Sequence, residues 1–292
     1  MLLGAGPRLA WVQGVLDGLS AGAGGELRQR VVCVTGTPTR EALAALASEP
    51  IDTVVLVDHV PCADGPATAA RPALSPVEAV RGAAQRAILA FELARRAART
   101  VRLAGDDADR WPSSLAATLG LPPPAAPAQR APAAAGRAKA FGPPGDLLMA
   151  SYLAPLFAAA PHNGPLAVRW PREVFLHGDA PGKHLPALIE IAGRARILAY
   201  GPYLPLPEGR WRARAWLGFS PDVGKMPFIL EADCGGLVSR GFFETERGGI
   251  FTLELEFQVA DPMHPVELRL ISQESTLEGQ VALIEVALEE LR

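Results

Sequence analysis

The side chains best suited to chemistry fall in two groups along this 292-residue chain, and neither group forms a complete catalytic constellation. In the second half, Arg210, Arg212 and Arg214 alternate with Trp211, Ala213 and Ala215, and Trp216 continues the even-numbered series. A period of two puts three guanidiniums and one indole on the same side of a strand. A guanidinium fork matches the oxygens of carboxylate, sulfate or phosphate. An indole presents a flat apolar surface to the C–H face of a sugar ring. Together they suit an acidic glycan or a sugar nucleotide. The competing reading is structural, with Glu254, Glu256 or Glu267 on a neighbouring strand pairing the arginines across a sheet. Tyr203, Glu267 and Arg269 complete this group of candidate ligand contacts.

The first half offers polar groups where apolar runs end: Gly4 and Gly6, Gly36 and Thr37, Asp58 and His59. In a parallel sheet such strand ends line the ligand crevice, so these six are candidates for holding a phosphorylated donor. Turn chemistry accounts for them equally well. Gly4-Ala5-Gly6-Pro7-Arg8 lacks the lysine and hydroxyl of a P-loop, and no GxGxxG follows a strand. Neighbours in a strand point to opposite faces, so Asp58 and His59 cannot act on each other, and no GxSxG elbow accompanies them. Asp106, Asp107 and Asp109 sit where a helix begins, a place where its dipole favours carboxylates.

Metal and disulfide chemistry find little support. Cys33, Cys62 and Cys234 share no close spacing, and His162, His177, His184 and His264 are scattered. His177-Gly178-Asp179 reads as a polar loop. No cofactor and no metal are expected.

The elements that would position these residues come in two kinds. Arg30 to Gly36, Thr53 to Val57 and Thr100 to Leu103 are short apolar runs of the buried parallel-strand type. Thr37-Pro38-Thr39-Arg40-Glu41 and Ser75-Pro76-Val77-Glu78 each give an N-cap, an early proline and a first-turn glutamate. The second of these opens a helix ending at Arg95-Arg96. A third helix is expected from Asp106 to Leu119, closed by Gly120. With Met1 to Gly4 as a further strand, the expectation is a small α/β layer of about four parallel strands. Prolines at 122, 123, 124, 127, 132, 143 and 144, set among alanines, then make a spacer. Asp146 to Ala160 reads as one helix with Leu147, Leu148, Tyr152, Leu156 and Phe157 on its apolar side.

Beyond it the period is two. Arg210 to Phe219 and Ile250 to Val259 alternate strictly, with Trp211, Ala213, Ala215, Leu217 and Phe219 expected in the core. About eight short strands separated by glycine and proline turns predict an antiparallel jelly-roll sandwich. The domains expected are thus 1–121 (α/β), 122–145 (linker) and 146–292 (a short helix, then an all-β sandwich).

Global properties narrow the function classes. A net charge of −3 gives no field that would gather nucleic acid. No apolar run reaches the ~18 residues of a membrane span. The start, Met1 to Leu19, is broken by Gly4, Pro7, Arg8 and Asp17 and does not read as a signal peptide, so a cytoplasmic location is expected.

Tyr200-Gly201-Pro202-Tyr203, Leu206-Pro207-Glu208-Gly209-Arg210-Trp211 and Val266-Glu267-Leu268-Arg269 resemble β-sandwich modules attached to bacterial polysaccharide glycosyltransferases. The resemblance covers about Arg169 to Leu291 and implies carbohydrate binding or scaffolding. The helix ending in Arg95-Arg96, the strand Val101-Arg102-Leu103 and the helix closing at Leu119-Gly120-Leu121 resemble a degenerate sulfotransferase-like domain. The expectation is a non-enzymatic carbohydrate-associated protein of polysaccharide biosynthesis. The alternatives are a glycosyl- or sulfo-transferase with a divergent donor site, and an assembly module that binds a protein partner or a second copy of itself.

Overall fold

The computed structural model describes residues 2–3, 7–22, 31–34, 51–57, 76–103, 108–122, 143–159, 164–236 and 238–291. They divide between two compact units. The first comprises Met1–Leu74, Gln85–Ala140 and Phe157–Asn163; the second comprises Ser75–Ala84, Phe141–Leu156 and Gly164–Arg292.

In the first unit, β1 (Leu2–Leu3), β2 (Val31–Val34), β3 (Ile51–Val57) and β4 (Ala97–Leu103) form a parallel sheet in that order. All of β3 except Asp52 is buried, as expected of a strand covered on both faces. Helix α1 (Pro7–Gly22) and helix α3 (Trp111–Leu119) share one apolar cluster with the sheet. Leu9, Val12 and Leu16 meet Val55, Leu103 and Leu115 there, and Trp11 meets Trp111 edge-on at 6.0 Å. Helix α2 (Pro76–Arg96) carries Glu78 in its first turn and Arg95 and Arg96 in its last, both favourable to its dipole. Its first turns, up to Ala84, group with the second unit.

Two helix boundaries differ from expectation. The helix expected from Asp106 is instead a 3-10 turn, Ala108–Arg110, followed by α3. Pro112 is compatible only with a first helical turn, which sets the α-helical start beside it. The single helix expected from Asp146 is α4 (Gly145–Leu148), a π-helical turn (Met149–Leu153) and α5 (Ala154–Ala159). Leu148, Tyr152 and Leu156 are fully buried, whereas Leu147, expected beside them, is 49% exposed because it lies off the line they share.

The second unit is an antiparallel β-sandwich. Its strands are β5 (Ala167–Pro171), β6 (Leu176–His177), β7 (Ile189–Glu190), β8 (Arg196–Pro205) and β9 (Gly209–Phe219). They continue with β10 (Met226–Asp233), β11 (Val238–Thr245), β12 (Gly249–Val259), β13 (Pro265–Ser272) and β14 (Gln280–Leu291). Sheet I has the order β11-β10-β13-β8-β6, and sheet II the order β12-β9-β14-β5, with β7 also paired to β14. From β7 onward every connection changes sheet except the β10–β11 hairpin, the winding of a jelly roll.

Alternation builds the core between the sheets. Trp211, Ala213, Ala215, Leu217 and Phe219 of β9 are all buried, as their spacing predicts. Phe219 reaches across to Phe228 of sheet I at 5.1 Å, and Phe228 stacks on Phe243 at 5.5 Å. The buried Trp211 indole donates its N–H to the Pro207 carbonyl at 3.0 Å. The buried Tyr152 hydroxyl donates to the carbonyl of Pro205, at the end of β8.

Candidate functional site

On the outer face of sheet I, strand register assembles what no single stretch of sequence contains. In β10, Phe228, Leu230 and Ala232 point into the core, so Ile229, Glu231 and Asp233 point outward. In β13, Val266, Leu268 and Leu270 are internal, so Glu267, Arg269 and Ile271 point outward. Pairing aligns Arg240 of β11, Glu231 of β10, Arg269 of β13 and Tyr200 of β8 in one row across four strands. A second row beside it contains Phe242, Ile229, Ile271 and Ile197. Phe242 is 66% exposed and Ile197 40%, so this apolar row is open to a ligand.

The polar row is tightly bonded. Arg240 donates through Nε to Glu231 Oε2 at 2.5 Å, and Arg269 through Nη1 to Glu231 Oε1 at 2.7 Å. The second Arg269 nitrogen reaches Asp233 Oδ2 at 3.2 Å and also bonds Glu267. Burial pushes the Glu231 carboxyl up. The hydrogen bonds and charges of Arg240 and Arg269 outweigh that and hold it below the usual carboxylate range.

Tyr203 enters this network through an irregularity. Pro202 pairs with Glu267 and Leu204 with Val266, which leaves Tyr203 as the extra residue of a bulge. Its φ is 60°, and among the described residues it is the one non-glycine with positive φ. Gly201, at φ 111°, supplies the other half of the turn, a conformation that favours glycine. The bulge aims the Tyr203 hydroxyl at Glu267 Oε1, 2.8 Å away, and its ring stands edge-on to Tyr200 at 6.2 Å. Burial, then the hydrogen bond and charge of Glu267, push the phenol far above its ordinary pKa, so it remains a hydroxyl. Beneath the bulge, Arg81 of α2 donates through Nε to the Tyr203 carbonyl at 2.8 Å and through Nη2 to that of Pro202 at 3.3 Å.

The outer face of sheet II is a ladder of ion pairs. Arg210 and Arg212 donate to the two oxygens of Glu256 at 3.1 and 2.9 Å. Arg214 holds Glu254 through Nε at 2.8 Å and through Nη2 at 2.6 Å. Arg169 of β5 lies 3.5 Å from Glu285 of β14. Each arginine of the β9 triplet is therefore engaged across a strand. Trp216 lies between Thr252 and Glu285 on the same face, partly exposed, and Ile250 nearby is 71% exposed.

The seven expected ligand contacts thus divide between opposite faces of the sandwich. Tyr203, Glu267 and Arg269 meet on sheet I, whereas Arg210, Arg212, Arg214 and Trp216 lie on sheet II. Gly4, Gly6, Gly36, Thr37, Asp58 and His59 lie outside the described residues. Sequence reasoning missed Tyr200, Glu231, Asp233, Arg240 and Phe242. The legible signal was Glu231 and Asp233 alternating with Leu230 and Ala232 inside an apolar strand.

The histidine loop is internally satisfied: His177 Nδ1 accepts the Asp179 N–H at 3.1 Å, and Asp179 accepts from Arg196 Nε at 2.9 Å. Among the described residues no three potential metal ligands cluster, and no helix is long and apolar enough to cross a membrane. Burial and the charge of Asp233 push the buried Cys234 thiol up to about 12, so it is held as an unreactive thiol.

No protein-family model matches the chain, and no curated protein is similar to it. Part of it is similar to solved structures. One is the carbohydrate-binding module TmCBM61 in complex with β-1,4-galactotriose (12% identity, 43% of this chain, 88% of that one, TM-score 0.27). Another is the xylan-binding module CBM15 (11% identity, 44% of this chain, 99% of that one, TM-score 0.27). A third is the adhesin domain of Lys-gingipain from Porphyromonas gingivalis (11% identity, 43% of this chain, 99% of that one, TM-score 0.30). No residue role, ligand or activity passes to this chain through a likeness of that size.

Proposed function

We propose that the β-sandwich binds a carbohydrate on the outer face of sheet I. The supporting observation is the pairing of two parallel rows, Arg240–Glu231–Arg269–Tyr200 and Phe242–Ile229–Ile271–Ile197. A sugar ring has hydroxyl edges and an apolar C–H face, and the two rows offer a complement to each. The polar row sets the guanidiniums of Arg240 and Arg269 against the carboxylates of Glu231, Asp233 and Glu267. With no excess of positive charge, this face suits a neutral glycan better than a polyanion.

The role we propose is binding, and Glu231, held below the usual carboxylate range by its arginines, does not suit the general acid that breaks a glycosidic bond. The setting we propose, from the resemblance of Tyr200–Tyr203 and Val266–Arg269 to polysaccharide glycosyltransferase modules, is cytoplasmic bacterial polysaccharide assembly.

A second reading puts the glycan on sheet II at Arg210, Arg212, Arg214 and Trp216. The partly exposed Trp216 indole beside Ile250 favours it. Its arginines are engaged by Glu254 and Glu256 just as Arg240 and Arg269 are by Glu231 on sheet I, so the preference for sheet I rests on the apolar row beside its polar one.

The test is thermal stabilisation of the whole chain by cellohexaose, xylohexaose, an oligogalacturonate and a nucleotide-sugar panel, since a ligand of the native state raises its melting temperature. Stabilisation by a neutral oligosaccharide is the expected result. Stabilisation by nucleotide sugars alone would make the protein a transferase instead.

A further inference from the structure

We infer that Arg81 is a positioning residue for the glycan-binding face. It lies on α2, far along the chain from the sandwich strands, and it sets the bulge that aims Tyr203. The inference rests on the proposed function of sheet I.

The argument begins with the backbone at Tyr203. A tyrosine at φ 60° gives up the β conformation its neighbours hold, and such a residue persists only where its surroundings over-determine it. The bulge interrupts the regular pairing of β8 with β13 at this point. Arg81 holds both carbonyls of the irregular turn from one planar fork, with Nε on the Tyr203 oxygen at 2.8 Å and Nη2 on the Pro202 oxygen at 3.3 Å. A charged donor makes the stronger kind of hydrogen bond, and the fixed fork geometry sets the separation of the two carbonyls.

Three further contacts depend on that placement. The Tyr203 hydroxyl reaches Glu267, Glu267 is one of the carboxylates gathered on Arg269, and the Tyr203 ring abuts Tyr200 in the polar row. The far end of the same segment is held by the Tyr152 hydroxyl on the Pro205 carbonyl. The short piece from Gly201 to Pro205 is therefore held by two side chains that come from helical segments. The first turns of α2 and Phe141–Leu156 group with the sandwich. An arginine here differs from an ordinary surface arginine in that both its acceptors are main-chain oxygens of one irregular turn. Its hydrogen bonds go to main-chain carbonyls rather than to side chains of the exposed rows, so its influence on a ligand runs through Tyr203.

The test uses the full chain and its three tyrosines, Tyr152, Tyr200 and Tyr203. With 13C-labelled tyrosine, Arg81→Met is expected to displace the ring signals of Tyr203, and with them those of Tyr200, in the absence of any ligand. Unmoved Tyr203 signals would overturn the inference. If Arg81→Met does not fold, Arg81→Lys carries the same measurement. It keeps the charge and one donor but loses the fork, and a smaller displacement of the same signals is expected.

Binding supplies the second readout, with cellohexaose and xylohexaose as probes. Arg81→Met should weaken binding about fivefold in the native chain but less than about twofold in a Tyr203→Phe background, because residues acting through one another are not additive. Equal losses in the two backgrounds would show that Arg81 does not act through Tyr203. If neither probe binds the native chain, the glycan reading fails, while the tyrosine spectra still decide whether Arg81 sets the bulge.

Discussion

Glu231 on β10 and Arg269 on β13 stand directly opposite each other in the antiparallel register, with Arg269 Nη1 2.7 Å from Glu231 Oε1. Glu231 is only 4% exposed, so its charge is sustained by that guanidinium and by Arg240 on the other side. With Arg240 of β11, the pair links three neighbouring strands on the outer face of sheet I.

Removing Arg269 should therefore destabilise the sandwich. Arg269→Met would leave Glu231 and Glu267 without their shared partner. The cost should be about 2 kcal/mol, below the ~3–5 of a fully buried pair because the arginine keeps some exposure to water. Urea unfolding measures it. Arg210→Ala, which breaks one exposed pair on sheet II, should leave the midpoint unchanged within error.

The same pair predicts a pH dependence. The Glu231 pKa is lowered in the folded chain, so its contribution is present above the unfolded value and is lost as pH falls through the folded one. The stability difference between the native chain and Glu231→Gln should accordingly shrink as pH falls below the ordinary glutamate range. A difference that grew on acidification would mean that burial, not the arginines, governs this carboxyl.

The contrast between β9 and β10 shows what the sequence makes legible. In β9 the strict alternation from Trp211 to Phe219 is enough by itself to separate core from surface, and every residue it assigns to the core is buried. In β10, burial of Phe228, Leu230, Glu231 and Ala232 alike blurs the period, so Glu231 is hidden among apolar neighbours. Its partner Arg269 lies 38 positions away, and register between such distant strands is a tertiary property. Nothing in the sequence around Tyr203 marks the bulge, because a bulge is defined by what the opposite strand does. Arg81, 122 positions from Tyr203, left no local trace at all. The arginines of β9 were conspicuous, yet their partners Glu254 and Glu256 occupy the matching alternate positions of β12.

The Tyr152 hydroxyl offers a further check. Tyr152→Phe leaves the Pro205 carbonyl without its buried donor and should cost about 1–2 kcal/mol in urea unfolding. A change within error would mean that this carbonyl finds another partner.

Phe242 separates binding from folding. Its ring is 66% exposed and contributes little to the core, so Phe242→Ala should leave the melting temperature nearly unchanged. Retention on the neutral glycan that stabilises the native chain should fall about fivefold, on the order of 1 kcal/mol.

The most direct measurement is calorimetric titration of the full chain with that neutral oligosaccharide, comparing Tyr200→Ala with Trp216→Ala. Loss of about tenfold or more in affinity with Tyr200→Ala, and native affinity with Trp216→Ala, is the predicted result. The reverse pattern would move the ligand to the arginine and tryptophan face of sheet II and contradict the account.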